Sequence, residues 1–206
     1  MTAVKICGIT RETDALAAAR AGAHALGFVF YAPSPRFVSA KRAAALMRVT
    51  PPFVTSVGLF VNAPVDEITQ VLNTARVDLL QFHGDETPEY CARFGVPYMK
   101  AVRVKAGLDL LQYAARFYHA KALLLDAFVE GLHGGTGQTF DWSIIPDNLP
   151  LPVVLSGGLT PDNVTAAIKA VRPWAVDVSS GVELDKGIKD AAKIAAFMTG
   201  VRNADV

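Results

Sequence analysis

Eight short apolar runs, each followed by a loop and then, after all but one, by a stretch of helical period, constrain this chain more than any other feature. The runs have strand length and are rich in β-branched and aliphatic residues. The stretches between them set apolar residues three and four apart. Strands are predicted near Val4–Cys7, Ala25–Phe30, Thr55–Val61, Asp78–Phe82, Tyr98–Val102, Ala122–Asp126, Val153–Ser156 and Ala175–Ser179. Helices are predicted over Thr13–Ala21, Ala40–Val49, Val65–Ala75, Pro88–Phe94, Leu108–Phe117, Pro161–Ala170 and Ile188–Thr199. Ser39, Pro64 ahead of Asp66 and Glu67, and Thr160 ahead of Pro161 suit helix starts. Gly22 and Gly95 suit left-handed helix stops.

Such an alternation implies a parallel sheet with right-handed crossovers. Spread over eight units, 206 residues leave about 26 each, compact beside the ~250 of a typical (β/α)8 barrel but within its range. The rival, a doubly wound open sheet, usually carries a glycine fingerprint after its first strand, and Cys7-Gly8-Ile9-Thr10 is not one. The expectation is therefore an α/β fold, a (β/α)8 TIM barrel spanning residues 1–206 as one domain. The alternation lapses once, from Ala127 to Pro152, where a glycine-rich loop is followed only by a weak helix at Asp141–Ile145. A loop of that length in a small domain is more often functional than idle.

Composition narrows the function. Hydrophobic residues make up 51% and charged ones 19%, enough to build a core and too little charge for disorder. Lys and Arg total 20 against 19 Asp and Glu, which argues against a nucleic-acid partner or a polybasic membrane patch. No apolar run approaches the ~20 residues of a bilayer span. The opening MTAVKICGIT does not read as a secretory signal. Two cysteines, Cys7 and Cys91, make no staple framework, so a cytoplasmic protein is expected.

In a barrel the chemistry sits where strands end. Ser156-Gly157-Gly158 and Ser179-Ser180-Gly181 follow strands seven and eight, where barrels commonly hold phosphate. Their glycines let backbone N–H groups approach a dianion and their hydroxyls add donors. Gly134-Gly135-Thr136-Gly137, after strand six, could fold over the same group. Tight turns alone would explain any one of these loops; three on one face point to a phosphorylated small molecule. Lys5 and Cys7, two apart on strand one, share a face, and an ammonium beside a thiol favours the thiolate. Cys7 is otherwise a small buried hydrophobe.

Asp126 closes the run Ala122-Leu123-Leu124-Leu125. It could cap a helix, anchor hydrogen bonds or act as a general acid. Asp177 is similarly placed, with neighbours that suggest it holds the strand-eight loop. Arg36 lies in Pro33-Ser34-Pro35-Arg36, where stiff prolines would aim a guanidinium at a carboxylate, unless it is simply solvated. His83 could be a ligand, an acid–base group or an anchor. The other histidines, His24, His119 and His133, show no metal-binding spacing, so no metal is expected. Cys91, on a predicted helix, reads as packing.

In order along the chain, these segments resemble the phosphoribosylanthranilate isomerases of tryptophan biosynthesis. The resemblance rests on Lys5-Ile6-Cys7-Gly8-Ile9-Thr10, Gly27-Phe28-Val29-Phe30 with Ser34-Pro35-Arg36, and Val57-Gly58-Leu59-Phe60-Val61-Asn62. It continues through Leu80-Gln81-Phe82-His83-Gly84-Asp85, Leu125-Asp126, Gly134-Gly135-Thr136-Gly137 and Phe140-Asp141-Trp142. It ends in Leu155-Ser156-Gly157-Gly158-Leu159 and Asp177-Val178-Ser179-Ser180-Gly181-Val182-Glu183. Phe82 and Phe30 depart mildly from the family's usual residues.

The resemblance implies an Amadori rearrangement, turning the aminoaldose N-(5-phosphoribosyl)anthranilate into 1-(2-carboxyphenylamino)-1-deoxyribulose 5-phosphate. It implies Asp126 as general acid and Cys7 as general base, with Arg36 on the anthranilate carboxylate and the three glycine loops on the phosphate. Lys5, His83 and Asp177 join the binding set. No cofactor is implied, and family members occur as monomers or homodimers.

Other readings are weaker on the residues. The related isomerase of histidine biosynthesis uses two aspartates and a second phosphate loop, where this chain has Cys7 and no first-half glycine cradle. The decarboxylating, indole-forming barrel of the same pathway needs a longer N-terminal extension and a Lys/Glu set. A sugar-phosphate sensor would have no use for Cys7 together with Asp126.

Overall fold

The computed structural model describes residues 1–105, 107–127 and 141–204. Eight parallel strands close into a barrel in chain order: β1 (Ala3–Cys7), β2 (Ala25–Val29), β3 (Thr55–Phe60), β4 (Leu79–Phe82), β5 (Tyr98–Val104), β6 (Leu123–Ala127), β7 (Val153–Leu155) and β8 (Ala175–Val178). Strand β1 pairs with both β2 and β8, so the sheet has no free edge and the open-sheet alternative falls.

Among the described residues seven helices follow strands: α1 (Glu12–Ala21), α2 (Ala40–Val49), α3 (Val65–Thr74), α4 (Pro88–Ala92), α5 (Leu110–Arg116), α6 (Val164–Val171) and α7 (Ala191–Ala204). After β6 the described residues carry only a turn of 3-10 helix, Trp142–Ile144, in place of the weak helix expected there. No helix among the described residues is long and apolar enough to cross a membrane.

Helix boundaries follow their caps. Ser39, Thr87 and Asp109 accept from the backbone N–H of Arg42, Tyr90 and Gln112. Gly22 stops α1 at φ 97°. Helix α6 starts three residues later than the Thr160-Pro161 signal implies. The Asn163 side chain bonds Thr160 N and Gly158 O instead, and this turn holds the end of the β7 loop.

The largest departure lies after β8. Residues expected to begin the last helix form an antiparallel hairpin, β9 (Glu183–Asp185) with β10 (Ile188–Lys189). Asp190 then accepts from the N–H groups of Ala192 and Lys193 and starts α7 at Ala191. The alternation of apolar residues could not show this, because the hairpin is held by polar side chains.

The apolar residues sort into two layers because side chains alternate across each strand. Outward residues such as Phe28, Phe60, Phe82 and Leu123 meet the helices in the main core. Inward residues of the strands' first halves form an apolar floor: Val57, Met99, Ala101, Ala122, Leu124, Val154 and Ala175, with Ala3, Ala25 and Leu79 against them. Above this floor the inward positions of β1, β4, β6 and β8 turn polar, while Val29, Leu59 and Val61 on the β2–β3 side stay apolar beside Cys7.

Candidate active site

Those polar positions are Lys5 on β1, Gln81 on β4, Asp126 on β6 and Asp177 on β8, with His83 and Ser156 just past β4 and β7; all are buried. Gln81, His83, Asp126, Ser156 and Asp177 line a cavity of about 340 Å³, together with Cys7, Arg36, Gly157, Gly158, Ser179 and Ser180 and the apolar Val29, Leu59 and Val61; Lys5 lies beneath it against Asp177. Cys7 and Asp126, from β1 and β6, thus face one cavity, and so do the loops after β7 and β8.

Register sets the neighbours. Lys5 pairs with Asp177 across β1 and β8, and its Nζ lies 2.8 Å from Asp177 Oδ1. Ser156 Oγ donates to the other oxygen, Asp177 Oδ2, at 3.3 Å. Lys5 and Cys7 lie close together under Gly27, so the ammonium and the thiol feel each other's charge. Burial pulls the lysine's pKa down, but Asp177 and Cys7 outweigh it and Lys5 stays an ammonium above its ordinary value. Burial pushes the Cys7 thiol up, and Lys5 lowers it only in part. The ammonium favours the thiolate, as expected, but burial acts against it with the larger effect.

Gly27, opposite Cys7 in the register, makes room for this pair. A Cβ there would lie 2.8 Å from Cys7 Sγ and 3.1 Å from Lys5 Cε.

Asp126 and His83 meet across the mouth, Oδ2 to Nε2 at 3.1 Å. Gln81 Nε2 lies 3.1 Å from the ring's other nitrogen, Nδ1. With the amide nitrogen donating to Nδ1, the ring proton sits on Nε2 and points at Asp126. The structure thus brings His83, left open between ligand, acid–base group and anchor, against Asp126.

Arg36 is not free in its proline-stiffened loop. Its Nε and Nη2 donate to the two oxygens of Glu183 at 2.8 and 2.7 Å. Lys189 Nζ reaches Glu183 Oε1 at 2.8 Å and also donates to Ser179 O and Oγ. Burial would raise the Glu183 carboxyl, yet Arg36 and Lys189 hold it below its ordinary value.

The β7 and β8 loops touch backbone to backbone. A Cβ on Gly181 would fall 1.9 Å from Leu159 O, so glycine alone fits. Gly157 and Gly158 take left-handed φ values of 86° and 65°. Gly135, Thr136 and Gly137, with Gly134, lie outside the described residues.

Behind the mouth, Glu86 accepts from the N–H of Asn62 and Gly84 and pairs with Lys100 Nζ at 3.1 Å. Lys100 also donates to Gly84 O at 2.7 Å, so the pair pins the turn after His83. Reading strand ends alone passed over Glu183, Lys189, Gln81 and this pair. Lys100, like Lys5, is a lysine inside an apolar strand, but with Met99 and Ala101 facing inward, alternation sends it to the helix side. Cys91 is fully buried, and burial pushes its thiol up to about 12, as packing predicts. Among the described residues no three His, Cys, Asp or Glu side chains could hold a metal ion.

The chain matches the family described as N-(5'phosphoribosyl)anthranilate (PRA) isomerase over residues 4–200. It is 62% identical over 196 residues to the N-(5'-phosphoribosyl)anthranilate isomerase of Thiobacillus denitrificans, covering 95% of this chain and 96% of that one. Among solved structures it is similar to phosphoribosyl anthranilate isomerase from Thermotoga maritima, with a TM-score of 0.89, 41% identity, and 100% and 99% of the two chains covered. A second such structure, in complex with reduced 1-(o-carboxyphenylamino)-1-deoxyribulose 5-phosphate, gives a TM-score of 0.85 at 40% identity, with the same coverage.

Proposed function

Because the chain belongs to the N-(5'-phosphoribosyl)anthranilate isomerase family of tryptophan biosynthesis, we propose that it catalyses the Amadori rearrangement of N-(5-phosphoribosyl)anthranilate by general acid–base catalysis, with Asp126 as acid and Cys7 as base. One observation carries this reading. A buried carboxyl on β6 and a buried thiol on β1, three strands apart around the barrel, face one cavity beside the two loops between them that are suited to phosphate. A neighbour's complex with a reduced carboxyphenylamino-deoxyribulose phosphate supports a ligand of this class.

The steps balance within the substrate. Asp126, in its acid form, gives its proton to the furanose ring oxygen. The C1–O bond breaks, and the anilino nitrogen supplies the electron pair for a C1=N Schiff base. Cys7, as thiolate, takes the proton from C2, and that electron pair forms the enolamine. Protonation at C1 and loss of the C2 hydroxyl proton yield the ketone, so no redox partner is consumed.

Lys5 opposes the cost of forming a thiolate in a dry pocket, and Asp177 keeps that ammonium aimed at it. Backbone N–H groups and hydroxyls of Ser156–Gly158 and Ser179–Gly181 take the phosphate. Gly135, Thr136 and Gly137 are proposed to complete that cradle. Arg36 takes the anthranilate carboxylate.

The test is the loss of anthranilate-type fluorescence from freshly generated phosphoribosylanthranilate. Rapid loss with the wild type and only background with Cys7→Ala is the expected result. A folded wild type that leaves the fluorescence unchanged would overturn the reading.

A further inference from the structure

We propose that Glu183 is a positioning residue that sets the aim of Arg36, so that the carboxylate end of the site is built by two loops rather than one. The proposal rests on the reading of Arg36 given above. A guanidinium has two edges that can each meet a carboxylate. Glu183 occupies the edge formed by Nε and Nη2. The edge formed by Nη1 and the second Nη2 hydrogen is left for a ligand, and Arg36 lines the cavity. One planar group is thereby held by an internal carboxylate while it meets an external one.

Glu183 is itself fixed. Its Oε1 accepts from Arg36, from Lys189 Nζ at 2.8 Å and from Gly187 N at 3.3 Å. Lys189 is held in turn by the β9–β10 hairpin, whose backbone docks on α1 through Lys189 N to Asp14 Oδ2 at 3.1 Å. Charge supports the arrangement. Two cations around one carboxylate leave a net positive charge, which an anionic ligand needs; an isolated Arg36–Glu183 pair would be neutral. Arg36 comes from the loop after β2, while the groups that hold it come from the hairpin after β8.

The experiment compares two probes by calorimetry: the reduced product analogue, and the same molecule lacking its ring carboxylate. Glu183→Gln should weaken the carboxylate-bearing probe by roughly tenfold or more, the scale of a charge-assisted hydrogen bond, and the other probe by less than about twofold. In an Arg36→Met background Glu183→Gln should add nothing, because the two residues act as a unit. Equal losses for both probes, or additive losses, would overturn the proposal.

The wild type supplies a second measurement that needs no variant. The Arg36 Nε–H resonance should be protected from exchange both without ligand and with the carboxylate probe bound. Loss of that protection on binding would mean that the ligand displaces Glu183, and the proposal would fall. A wild type that binds both probes equally would instead remove Arg36 from the carboxylate site, and this inference with it.

Discussion

His83 Nε2 lies 3.1 Å from Asp126 Oδ2, with the ring's other nitrogen 3.1 Å from the Gln81 amide. The side chain proposed as acid therefore rests against a histidine that the Gln81 amide holds from its other side. Asp126→Asn keeps the shape and removes the proton, and should cut kcat by about 10²–10⁴-fold, the usual contribution of a positioned acid. His83→Asn should lower kcat by a smaller factor with little change in KM, since the ring orients the acid. Steady-state kinetics of both variants decide this, and an unaltered kcat in either removes its role.

The second prediction concerns pH. Burial pushes the Cys7 thiol above its ordinary value, and the base works as thiolate. Activity should therefore rise with pH past the range of a free cysteine. Lys5→Met removes the cation that lowers the thiol and should move that limb further up. Iodoacetamide should follow the same rise, label Cys7 and be blocked by product analogue. Labelling chiefly at Cys91, which is fully buried, would contradict the assignment.

Arg36→Met should raise KM for phosphoribosylanthranilate by roughly ten- to a hundredfold, the range expected for one charge-assisted contact, with a smaller effect on kcat. An unchanged KM would place the carboxylate elsewhere.

Lys100 and Glu86 make a fully buried ion pair under the turn after His83. Lys100→Met leaves Glu86 charged and without its cation, and should cost about 3–5 kcal/mol in urea unfolding. Adding Glu86→Gln should recover part of that loss. A single variant as stable as the wild type would show that the pair is not what holds the turn.

Glu183 should shape stability in acid. Its carboxyl is held below its ordinary value of 4.5 by Arg36 and Lys189. The folded state therefore releases this proton more readily than the unfolded chain. The stabilisation is complete above that value and is lost as pH falls through the lower, folded one. Denaturant midpoints measured against pH should show a shallower acid limb in Glu183→Gln.

The barrel was readable from sequence because strand closure depends on what each short segment buries, and β-branched runs followed by helical period declare that locally. That the phosphate-type loops, Cys7 and Asp126 would share one mouth was readable for a related reason: strand ends are countable, and a barrel brings all eight together; the roles proposed for Cys7 and Asp126 came from the family resemblance. Glu183 was not, because the turn signal Asp185-Lys186-Gly187 sits between strands too short to show alternation, and its partner Arg36 lies 147 residues away. Gln81 and Lys100 fail differently. A polar residue inside a strand shows that it needs a partner, and only the fold shows which.

The apolar floor beneath Lys5, Gln81 and Asp177 seals the barrel from below. A sealed floor gives the site a single door. Substrate arriving and product leaving must use the same opening in turn, so product should inhibit as a simple competitor. Among the described residues the apolar floor offers the proposed ketose no polar path downward, so on this reading it returns to bulk water through the mouth its precursor entered.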